Sequence, residues 1–331
     1  MRILVVGGAG YIGSHAVRCL LRAGHDVRVL DNLSQGHAAA VPAGRLVRGD
    51  LADRPALESA VRELAVEAVM HFAAWTSVPE SVTDPSRYYQ NNLVGSLNLL
   101  DAMRAAGVRR IVFSSTAAVY GIPDAVPITE ESPTRPINPY GVTKLAIERA
   151  MADYAAAYGL GFAALRYFNA CGAAADASIG EDHVPETHLI PIILQVAQGR
   201  RERIAIQGGD YPTPDGTCIR DYIHVEDLAE AHRLVLERIE PGQGLIYNVG
   251  TGTGVSVRQV VEAARRATGH PIPAVEQPRR PGDPPALVAS PLALTRDLDW
   301  SPRYTDIESI VRTAWRWHST HPDGYADRSP G

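Results

Sequence analysis

The first half of the chain alternates short apolar runs with longer segments in which apolar residues recur every three or four positions. Residues 2–6 are mostly apolar and β-branched, which predicts a strand, and the apolar spacing over 11–23 predicts a helix. The alternation continues to residue 166, with strands predicted at 27–30, 46–47, 68–72, 111–115 and 161–166 and helices at 55–64, 88–106 and 140–158. Apolar strands separated by helices indicate a doubly wound parallel sheet that is covered on both faces.

The pattern loosens after residue 169, because Pro and Gly interrupt most of the stretch 172–214. Helices are again predicted at 225–239 and 256–268, with a strand at 245–249. This part of the chain is therefore expected to be richer in loops than the first.

The length of 331 residues, at about 150 residues per domain, agrees with two domains. We expect an α/β protein in which a Rossmann-type parallel sheet spans 1–170 and a smaller, interleaved α/β domain spans 171–331. The segment at about 218–255 is expected to return to the first domain. The composition, with 45% hydrophobic and 21% charged residues, excludes a disordered or collagen-like chain.

The net charge and the cysteine content limit the partners and the cellular compartment that the sequence predicts. The 32 basic and 37 acidic residues give a net charge of −5, which offers no electrostatic footprint for nucleic acid or an anionic membrane. No apolar run is long enough to predict a signal peptide or a spanning helix. Cys19, Cys171 and Cys218 are far apart and form no C-x-x-C, which is typical of reduced thiols. We expect a cytoplasmic protein without a structural metal.

A glycine-rich segment lies between the first predicted strand and the first predicted helix. After Gly7, it has the pattern G-x-G-x-x-G over Gly8, Ala9, Gly10, Tyr11, Ile12 and Gly13. Glycines at these positions permit a tight turn and let backbone N–H groups approach a pyrophosphate, which the helix N-terminus stabilises. The segment predicts a dinucleotide site.

Two acidic positions at later strand ends support this site. Asp31 ends the second strand, where a carboxylate accepts hydrogen bonds from the adenosine ribose and repels a 2′-phosphate. Asp50 and Leu51 follow the third strand, where they are placed to meet the adenine edge. The sequence therefore favours NAD over NADP.

Three polar residues form a candidate catalytic set. Tyr140 and Lys144 are four positions apart at the start of a predicted helix, so both side chains share one face. A tyrosine with an ordinary pKa of about 10 acts as a base near neutral pH only when cations stabilise its phenolate, as Lys144 can. Thr116 follows the 111–115 strand and can hydrogen-bond the same substrate oxygen. The set predicts hydride chemistry at a carbon that bears a hydroxyl group.

These residues carry a resemblance to a known family. GGAGYIGSH at 7–15, DNLS at 31–34, the Tyr140/Lys144 pair and RYFN at 166–169 resemble the extended short-chain dehydrogenase/reductase family. The chain is similar in particular to the UDP-sugar 4-epimerases of that family, through its motifs DYPTPDGT at 210–217, RDYIHV at 220–225, DLA at 227–229, GED at 180–182 and PRRPGD at 278–283.

The resemblance implies a role for each domain. The first domain would bind NAD through residues Gly7, Gly10, Tyr11, Ile12, Gly13, Asp31, Asn32, Asp50, Leu51, Phe72, Ala73, Ala74, Asn91, Ser114, Tyr140, Lys144, Tyr167 and Phe168. The second domain would bind a UDP-sugar, and the substrate contacts implied are Thr116, Tyr140, Asn169, His188, Leu189, Gln207, Arg220, Arg280, Asp283 and Leu287. Two positions depart from the family pattern, since Thr76 replaces a common lysine and Gln207 a common aromatic residue.

The residues after the fifth strand bear on the reaction. By the same resemblance, related dehydratases and decarboxylases have an acidic residue after this strand. This chain has Ala117 and Ala118 there, which cannot transfer protons. The sequence thus favours oxidation and re-reduction at one carbon, and the resemblance implies interconversion of UDP-glucose and UDP-galactose. Two alternatives remain: a 4-epimerase of another UDP-sugar, such as a UDP-N-acetylhexosamine or UDP-pentose, and a catalytically idle NAD-binding sensor.

Two further expectations concern assembly and substrate choice. Leu93, Leu97, Leu100 and Met103 form an apolar stripe on the 88–106 helix, and in the family this helix and the 140–158 helix pair in a homodimer. Val142, Ala146 and Tyr154 are the matching positions on the second helix. Leu287 is placed by resemblance beside the C2 substituent of the sugar, where a side chain smaller than tyrosine would admit an acetamido group.

Overall fold

The computed structural model describes residues 1–280 and 282–327 of the chain. It contains two compact units, of which the first comprises 1–121, 133–166 and 229–247. The second comprises 122–132, 167–228 and the chain from 248 onward. The expected division at residue 170, with its two binding roles, stays a prediction. Pro281 of the PRRPGD motif lies outside the described residues.

Strands and helices alternate through most of the chain. The strands are β1 (Arg2–Val6), β2 (Asp26–Asp31), β3 (Leu46–Arg48), β4 (Ala68–His71), β5 (Arg110–Thr116), β6 (Gly161–Tyr167), β7 (Asn169–Cys171), β8 (Ile204–Gln207), β9 (Ile219–His224), β10 (Gly244–Val249), β11 (Gly254–Ser256), β12 (Ala274–Gln277) and β13 (Ala286–Leu287). The helices are α1 (Tyr11–Arg22), α2 (Arg54–Glu63), α3 (Val78–Thr83), α4 (Pro85–Tyr88), α5 (Gly95–Ala105), α6 (Pro139–Tyr158), α7 (Leu189–Ala197), α8 (Val225–Arg238), α9 (Val257–Thr268), α10 (Leu292–Leu298) and α11 (Ile307–Thr320).

The largest sheet confirms the predicted Rossmann architecture. Its seven strands lie in the order β10-β6-β5-β4-β1-β2-β3, and β1 pairs in parallel with both β2 and β4. The chain order reverses direction between β1 and β4, which is the point where open parallel sheets bind ligands beyond the carboxyl ends of their strands. The core under this sheet joins buried residues of several strands and helices, including Leu4, Val69, Leu99, Phe113 and Ile147.

A buried ion pair fixes helix α6 against the sheet. The guanidinium group of Arg166 in β6 donates to both carboxylate oxygens of Glu148 in α6, at 3.0 and 2.6 Å, and to the hydroxyl oxygen of Tyr120 at 2.9 Å. Ser115 of β5 also donates to Glu148. Such a pair is stable when its remaining hydrogen-bonding positions are satisfied, as they are here. It sets the position of α6 and therefore of the candidate catalytic residues in its first two turns.

The structure corrects three details of the sequence analysis. The helix predicted over 88–106 is not uniform, because Tyr89–Val94 is a π-helical segment between α4 and α5. Thr116 is the last residue of β5 rather than the first residue after it. Leu100 and Met103 are buried in the core beneath the sheet, so they are not free to contact a partner subunit as predicted.

The second unit is built around smaller sheets. β9 lies between β11 and β13 and also pairs with β7, while β8 and β12 form a separate parallel pair. Helices α7, α9 and α11 enclose a core that includes Ile193, Leu194, Val261 and Val311. Among the described residues, no helix combines the length and the apolar character that are needed to cross a lipid bilayer.

Candidate dinucleotide and catalytic site

A cleft of about 610 Å³ lies in the first unit, beyond the carboxyl ends of β1, β2 and β4. It lies at the reversal point of the sheet, where open parallel sheets bind their ligands. Ten of the predicted cofactor residues line it: Gly7, Gly10, Asp31, Asn32, Asp50, Leu51, Phe72, Ala73, Ala74 and Asn91. The structure therefore collects residues from five separate segments of the sequence at one site.

The glycines of the first turn serve different purposes. A Cβ atom at Gly7 would overlap the backbone of Ala73, and Gly7 has a φ of +78°. A Cβ atom at Gly13 would overlap the Gly7 carbonyl oxygen and lie 2.8 Å from the Gly8 Cα. At Gly10 the nearest atom would be the Gly7 oxygen at 3.5 Å, an ordinary contact. The fold itself therefore requires Gly7 and Gly13, whereas Gly10 keeps the cleft open for a ligand.

Asp31 connects the glycine-rich turn to the end of β2. Its carboxylate accepts hydrogen bonds from the backbone nitrogens of Ala9 and Leu33, each at 2.9 Å. Burial raises the pKa of Asp31, and these two hydrogen bonds oppose that shift. A carboxylate oxygen has two lone pairs, so both oxygens can still accept a bond from a ribose hydroxyl. Asp31 thus holds the turn in place as well as lining the cleft.

The sequence analysis missed part of the cleft wall. The additional lining residues are Val6, Leu30, Ser34, Gln35, Gly36, Gly49 and Trp75. Most of them are immediate neighbours of predicted residues, so the strand ends that located Asp31 and Asp50 also gave the signal for these neighbours. Among the predicted cofactor residues, Tyr11, Ile12, Gly13, Ser114, Tyr140 and Lys144 are in the first unit but are not part of this lining, and Tyr167 and Phe168 belong to the second unit.

Lys144 is the most deeply buried member of the catalytic set, with 2% of its surface exposed. Its ammonium group donates to the backbone oxygen of Ser114 at 2.8 Å and lies 4.7 Å from the centre of the Phe113 ring. Burial lowers the pKa of Lys144 to about 7, although the charge of Glu148 opposes this shift. Strongly shifted groups of this kind are concentrated at functional sites.

Tyr140 and Thr116 are also buried, and α6 sets the relation of Tyr140 to Lys144. Asn138 caps α6 by accepting from the Gly141 nitrogen at 2.9 Å, which fixes the first turn. The Lys144 ammonium nitrogen is 5.9 Å from the centre of the Tyr140 ring. Thr116 at the end of β5 accepts from the Ala118 nitrogen at 3.1 Å, so its hydroxyl hydrogen remains available to another acceptor.

The predicted substrate residues, apart from Thr116 and Tyr140, lie in the second unit. Arg220 forms an ion pair with Asp283, and the Gln207 amide donates to Gln277 at 2.9 Å. Leu287 in β13 is the register partner of Arg220 in β9. Asn169, His188 and Arg280 are exposed, and Leu189 is half-buried at the start of α7. The parallel pairing of β9 with β13 brings Arg220, Asp283 and Leu287 into one neighbourhood.

The RDYIHV motif also has a structural role that sequence reasoning missed. Asp221 is completely buried and accepts hydrogen bonds from the backbone nitrogens of Thr251, Gly252 and Ala289, at 2.8, 3.0 and 3.1 Å. Burial raises the pKa of Asp221, while these bonds oppose the shift. The carboxylate therefore holds two loops of the second unit beside the strand that carries Arg220.

Comparison with known proteins gives matches that extend over both units of the chain. The model of the NAD dependent epimerase/dehydratase family matches residues 3–250. The chain belongs to this family. A UDP-glucose 4-epimerase of Streptomyces lividans is 54% identical over 329 residues, which cover 99% of this chain and 99% of that protein.

Solved structures of other family members superpose on the whole chain. A crystal structure of a UDP-glucose 4-epimerase has a TM-score of 0.96 and 50% identity, and it covers 99% of this chain and 100% of its own. A UDP-glucose-4-epimerase from Stenotrophomonas maltophila, solved with bound NAD and formylated UDP-arabinopyranose, has a TM-score of 0.94 and 42% identity. The coverage is 97% of this chain and 99% of that one.

The first unit of this family member fits NAD. Gly10 leaves space at the start of α1, where backbone N–H groups and the helix dipole favour a pyrophosphate. The Asp31 carboxylate at the edge of the cleft suits a free ribose and disfavours a 2′-phosphate. NAD is therefore the cofactor, and Gly10 and Asp31 are the residues that would contact its pyrophosphate and its ribose.

The substitution Gly10→Ala tests whether Gly10 is needed for NAD binding rather than for folding. Gly10 has a φ of −76°, which alanine adopts freely, and its Cβ atom would meet no close protein atom. We expect the NAD-free variant to keep its melting temperature within a few degrees but to bind NAD at least about tenfold more weakly, a loss of about 1.4 kcal/mol. Calorimetric titration with NAD and thermal unfolding of the stripped protein measure the two quantities.

Gly13→Ala is the matched comparison. Its Cβ atom would overlap the Gly7 oxygen, so we expect a clear loss of thermal stability even without NAD. Unchanged NAD affinity in Gly10→Ala would show that the cofactor does not approach this turn.

Proposed function

We propose that this chain interconverts UDP-glucose and UDP-galactose by transient oxidation at C4 of the sugar. The observation that carries the proposal is the buried ammonium group of Lys144, which lies one helical turn from Tyr140. The residues that follow β5, Ala117 and Ala118, provide no acidic side chain. The full-length similarity to UDP-glucose 4-epimerases supports the same reaction. When bound, NAD supplies a hydride acceptor that returns the same hydride, so the chain is formally an isomerase.

Tyr140 serves as the base for the C4 hydroxyl. A phenol needs a nearby positive charge to ionise near neutral pH, and Lys144 supplies one that is screened little by solvent because it is buried. The Ser114 carbonyl fixes the direction of the ammonium group. Thr116 donates its hydroxyl hydrogen to the same substrate oxygen and so orients the C–O bond. Tyr140 then returns the proton when C4 is reduced.

The absence of an acid at 117 and 118 limits the reaction to epimerisation. Elimination or decarboxylation would need a group that moves a second proton, and alanine side chains have none. A 4-keto sugar held here is therefore reduced again rather than dehydrated. For inversion the sugar must present its other face, so the protein cannot bind it tightly in a single orientation.

The affinity must therefore come from the UDP portion of the substrate. In the second unit, Arg220 and Arg280 offer guanidinium groups that suit a diphosphate, and Asp283 suits the uridine ribose. Arg220 is held by Asp283, so its position is fixed before a ligand arrives. Asn169, His188, Leu189 and Gln207 complete the proposed nucleotide contacts. In this assignment 1–170 binds NAD and 171–331 binds the nucleotide sugar, with a returning segment.

The phenol-to-phenyl substitution Tyr140→Phe tests the base. Removal of the hydroxyl should lower the turnover of UDP-galactose by about 10²–10⁴-fold, while the dissociation constant for UDP stays within about twofold. Tyr158→Phe, on the same helix but exposed, is the control and should retain normal turnover. Turnover near the wild-type rate in Tyr140→Phe would assign the base elsewhere.

A solvent isotope experiment distinguishes this mechanism from proton exchange at C4. Because C4 loses and regains the same hydride, product formed in deuterated water should carry no deuterium at C4. Incorporation of deuterium there would contradict the proposed reaction.

Leu287 bears on the choice of sugar. It is half-buried in β13 and, by family resemblance, borders the C2 substituent. Leucine is shorter than tyrosine, so we expect some 4-epimerase activity on UDP-N-acetylglucosamine beside the hexose reaction. Leu287→Tyr should abolish the N-acetyl activity selectively, since steric exclusion of an acetamido group exceeds the about 1–3 kcal/mol of an altered apolar contact.

The control for this prediction is Leu287→Met, which keeps the volume and should keep both activities. A wild-type protein inactive on millimolar UDP-N-acetylglucosamine would remove this role of Leu287 but leave the hexose reaction intact.

We also propose a cytoplasmic homodimer. Tyr89 and Val94 on the π-helical segment and Tyr158 at the end of α6 are exposed large hydrophobic residues. Leu93 and Leu97, the half-buried members of the predicted apolar stripe, lie close to Tyr89 and Val94 in the chain. Light scattering should therefore give twice the mass of one chain, and Val94→Glu should shift it toward the monomer. Val275→Glu, at an exposed position of the second unit, is the control. A wild-type monomer at micromolar concentration would contradict the dimer.

A further inference from the structure

A cluster of two histidines and two glutamates precedes helix α7 in the second unit. Glu181, His183, Glu186 and His188 each offer one potential ligand atom, and these atoms all lie within 4.8 Å of one another. The four residues fall within eight positions of the sequence. His188 is also a proposed nucleotide contact, and because its Nδ1 atom faces the cluster, its Nε2 atom is the one that can meet the nucleotide.

The distances within the cluster are close to those of a tetrahedral metal site. The Nδ1 atom of His183 is 3.4 Å from Glu181 Oε1 and 3.7 Å from Glu186 Oε2, and His188 Nδ1 is 3.6 Å from Glu186 Oε1. Around Zn²⁺, with bonds of about 2.0–2.1 Å, neighbouring tetrahedral ligand atoms are about 3.3–3.4 Å apart. A tetrahedral ion would use a single oxygen of Glu186, lengthen the 2.5 Å contact between His188 Nδ1 and Glu181 Oε1, and shorten any separation near the 4.8 Å limit of the cluster.

The two carboxylates of the cluster are buried, so their negative charges are unfavourable without a nearby positive charge. The Glu181 and Glu186 side chains are only 4% and 3% exposed. Within the described part of the chain, their ion pairs are formed with His183 and His188 alone. A metal ion would take the place of the protons through which the two histidines pair with these carboxylates, because a ligating imidazole is neutral.

Outer hydrogen bonds hold the proposed ligands in place. The backbone nitrogens of Thr187 and His188 donate to Glu186 Oε1 at 2.7 and 2.8 Å. The Trp317 indole nitrogen donates to the Glu181 backbone oxygen at 3.3 Å. Partners of this kind orient metal ligands and strengthen binding. The His188 side chain is about half exposed, so an ion can reach the cluster from solvent.

We propose that Glu181, His183, Glu186 and His188 form a structural zinc site. Imidazole nitrogens select Zn²⁺ over Mg²⁺ and Ca²⁺, which prefer sites made of oxygen atoms alone. Four protein ligands leave no open position for substrate, so the ion stabilises the segment and takes no part in the chemistry. This proposal revises our expectation of no structural metal, which rested on the cysteines alone and did not consider a cluster of histidines and carboxylates.

Metal content of the whole protein tests the proposal. Protein stripped with a chelator, supplied with Zn²⁺ and passed through a desalting column should retain about one zinc per chain. Its melting temperature should rise by several degrees relative to the stripped protein. With Co²⁺ as the probe, the visible spectrum should have the strong absorption of a tetrahedral ion. A substoichiometric zinc content or a weak octahedral cobalt spectrum in the wild-type protein would overturn the site.

Variants locate the ion on the chain. His183→Asn and Glu186→Gln should each lower the retained zinc at least tenfold and abolish the thermal shift, whereas His270→Asn and Glu202→Gln, exposed in the same unit, should change neither. Circular dichroism establishes that each variant is folded. If the variants retain as much zinc as the controls, the metal is an adventitious ion only and the proposal fails.

Discussion

Gly7 and Gly13 in the first turn of the chain have no room for side chains, and the dinucleotide cleft of the first unit depends on that constraint. The backbone at Gly7 lies against the backbone of Ala73 after β4, and Gly13 lies against the turn itself. The Asp31 carboxylate holds the Ala9 nitrogen from the end of β2. Three strand ends are thereby locked together at the reversal point of the sheet, and the cleft exists because they cannot move apart without losing these contacts.

Two buried charged side chains, Lys144 and Asp221, are in different hydrogen-bonding environments. Lys144 donates to the Ser114 carbonyl, and its burial lowers its pKa to about 7; we propose that its charge acts on the neighbouring Tyr140. Asp221 is buried with several backbone donors, which stabilise its charge and hold loops together. The two groups differ in the number of hydrogen bonds that compensate for their burial, one for Lys144 and at least three for Asp221.

The sequence predicted the first unit well because its signals are local. The apolar strands, the glycine turn and the acids at strand ends are readable one segment at a time, and the sheet then brings them together without further information. Gly10, Asp31, Asp50 and Phe72 line one cleft for this reason. The burial of Leu100 and Met103 was not predicted, since a helix with apolar residues on more than one side does not reveal which side meets the core.

The structure of the second unit was harder to predict from the sequence, because it depends on contacts between residues that are far apart in the chain. Strand β7 has only three residues, and β9 mixes charged with apolar residues, so neither shows a regular apolar period. The two strands pair with each other, and the Asp221 carboxylate of β9 holds neighbouring loops. Helix α11 buries Ile310, Val311 and Trp317 but lies after a loop-rich stretch in which no pattern was recognised. Only the family resemblance of short motifs indicated which residues of this unit to propose as nucleotide contacts.

The central claim is that the chain inverts C4 without net oxidation. The most direct test supplies UDP-glucose and UDP-galactose in separate reactions to the NAD-loaded protein, and follows both nucleotides together with the absorbance of NADH. The account predicts that the two reactions converge on the same mixture and that NADH does not accumulate. Accumulation of NADH in proportion to the sugar consumed, or no conversion in either direction, would contradict it.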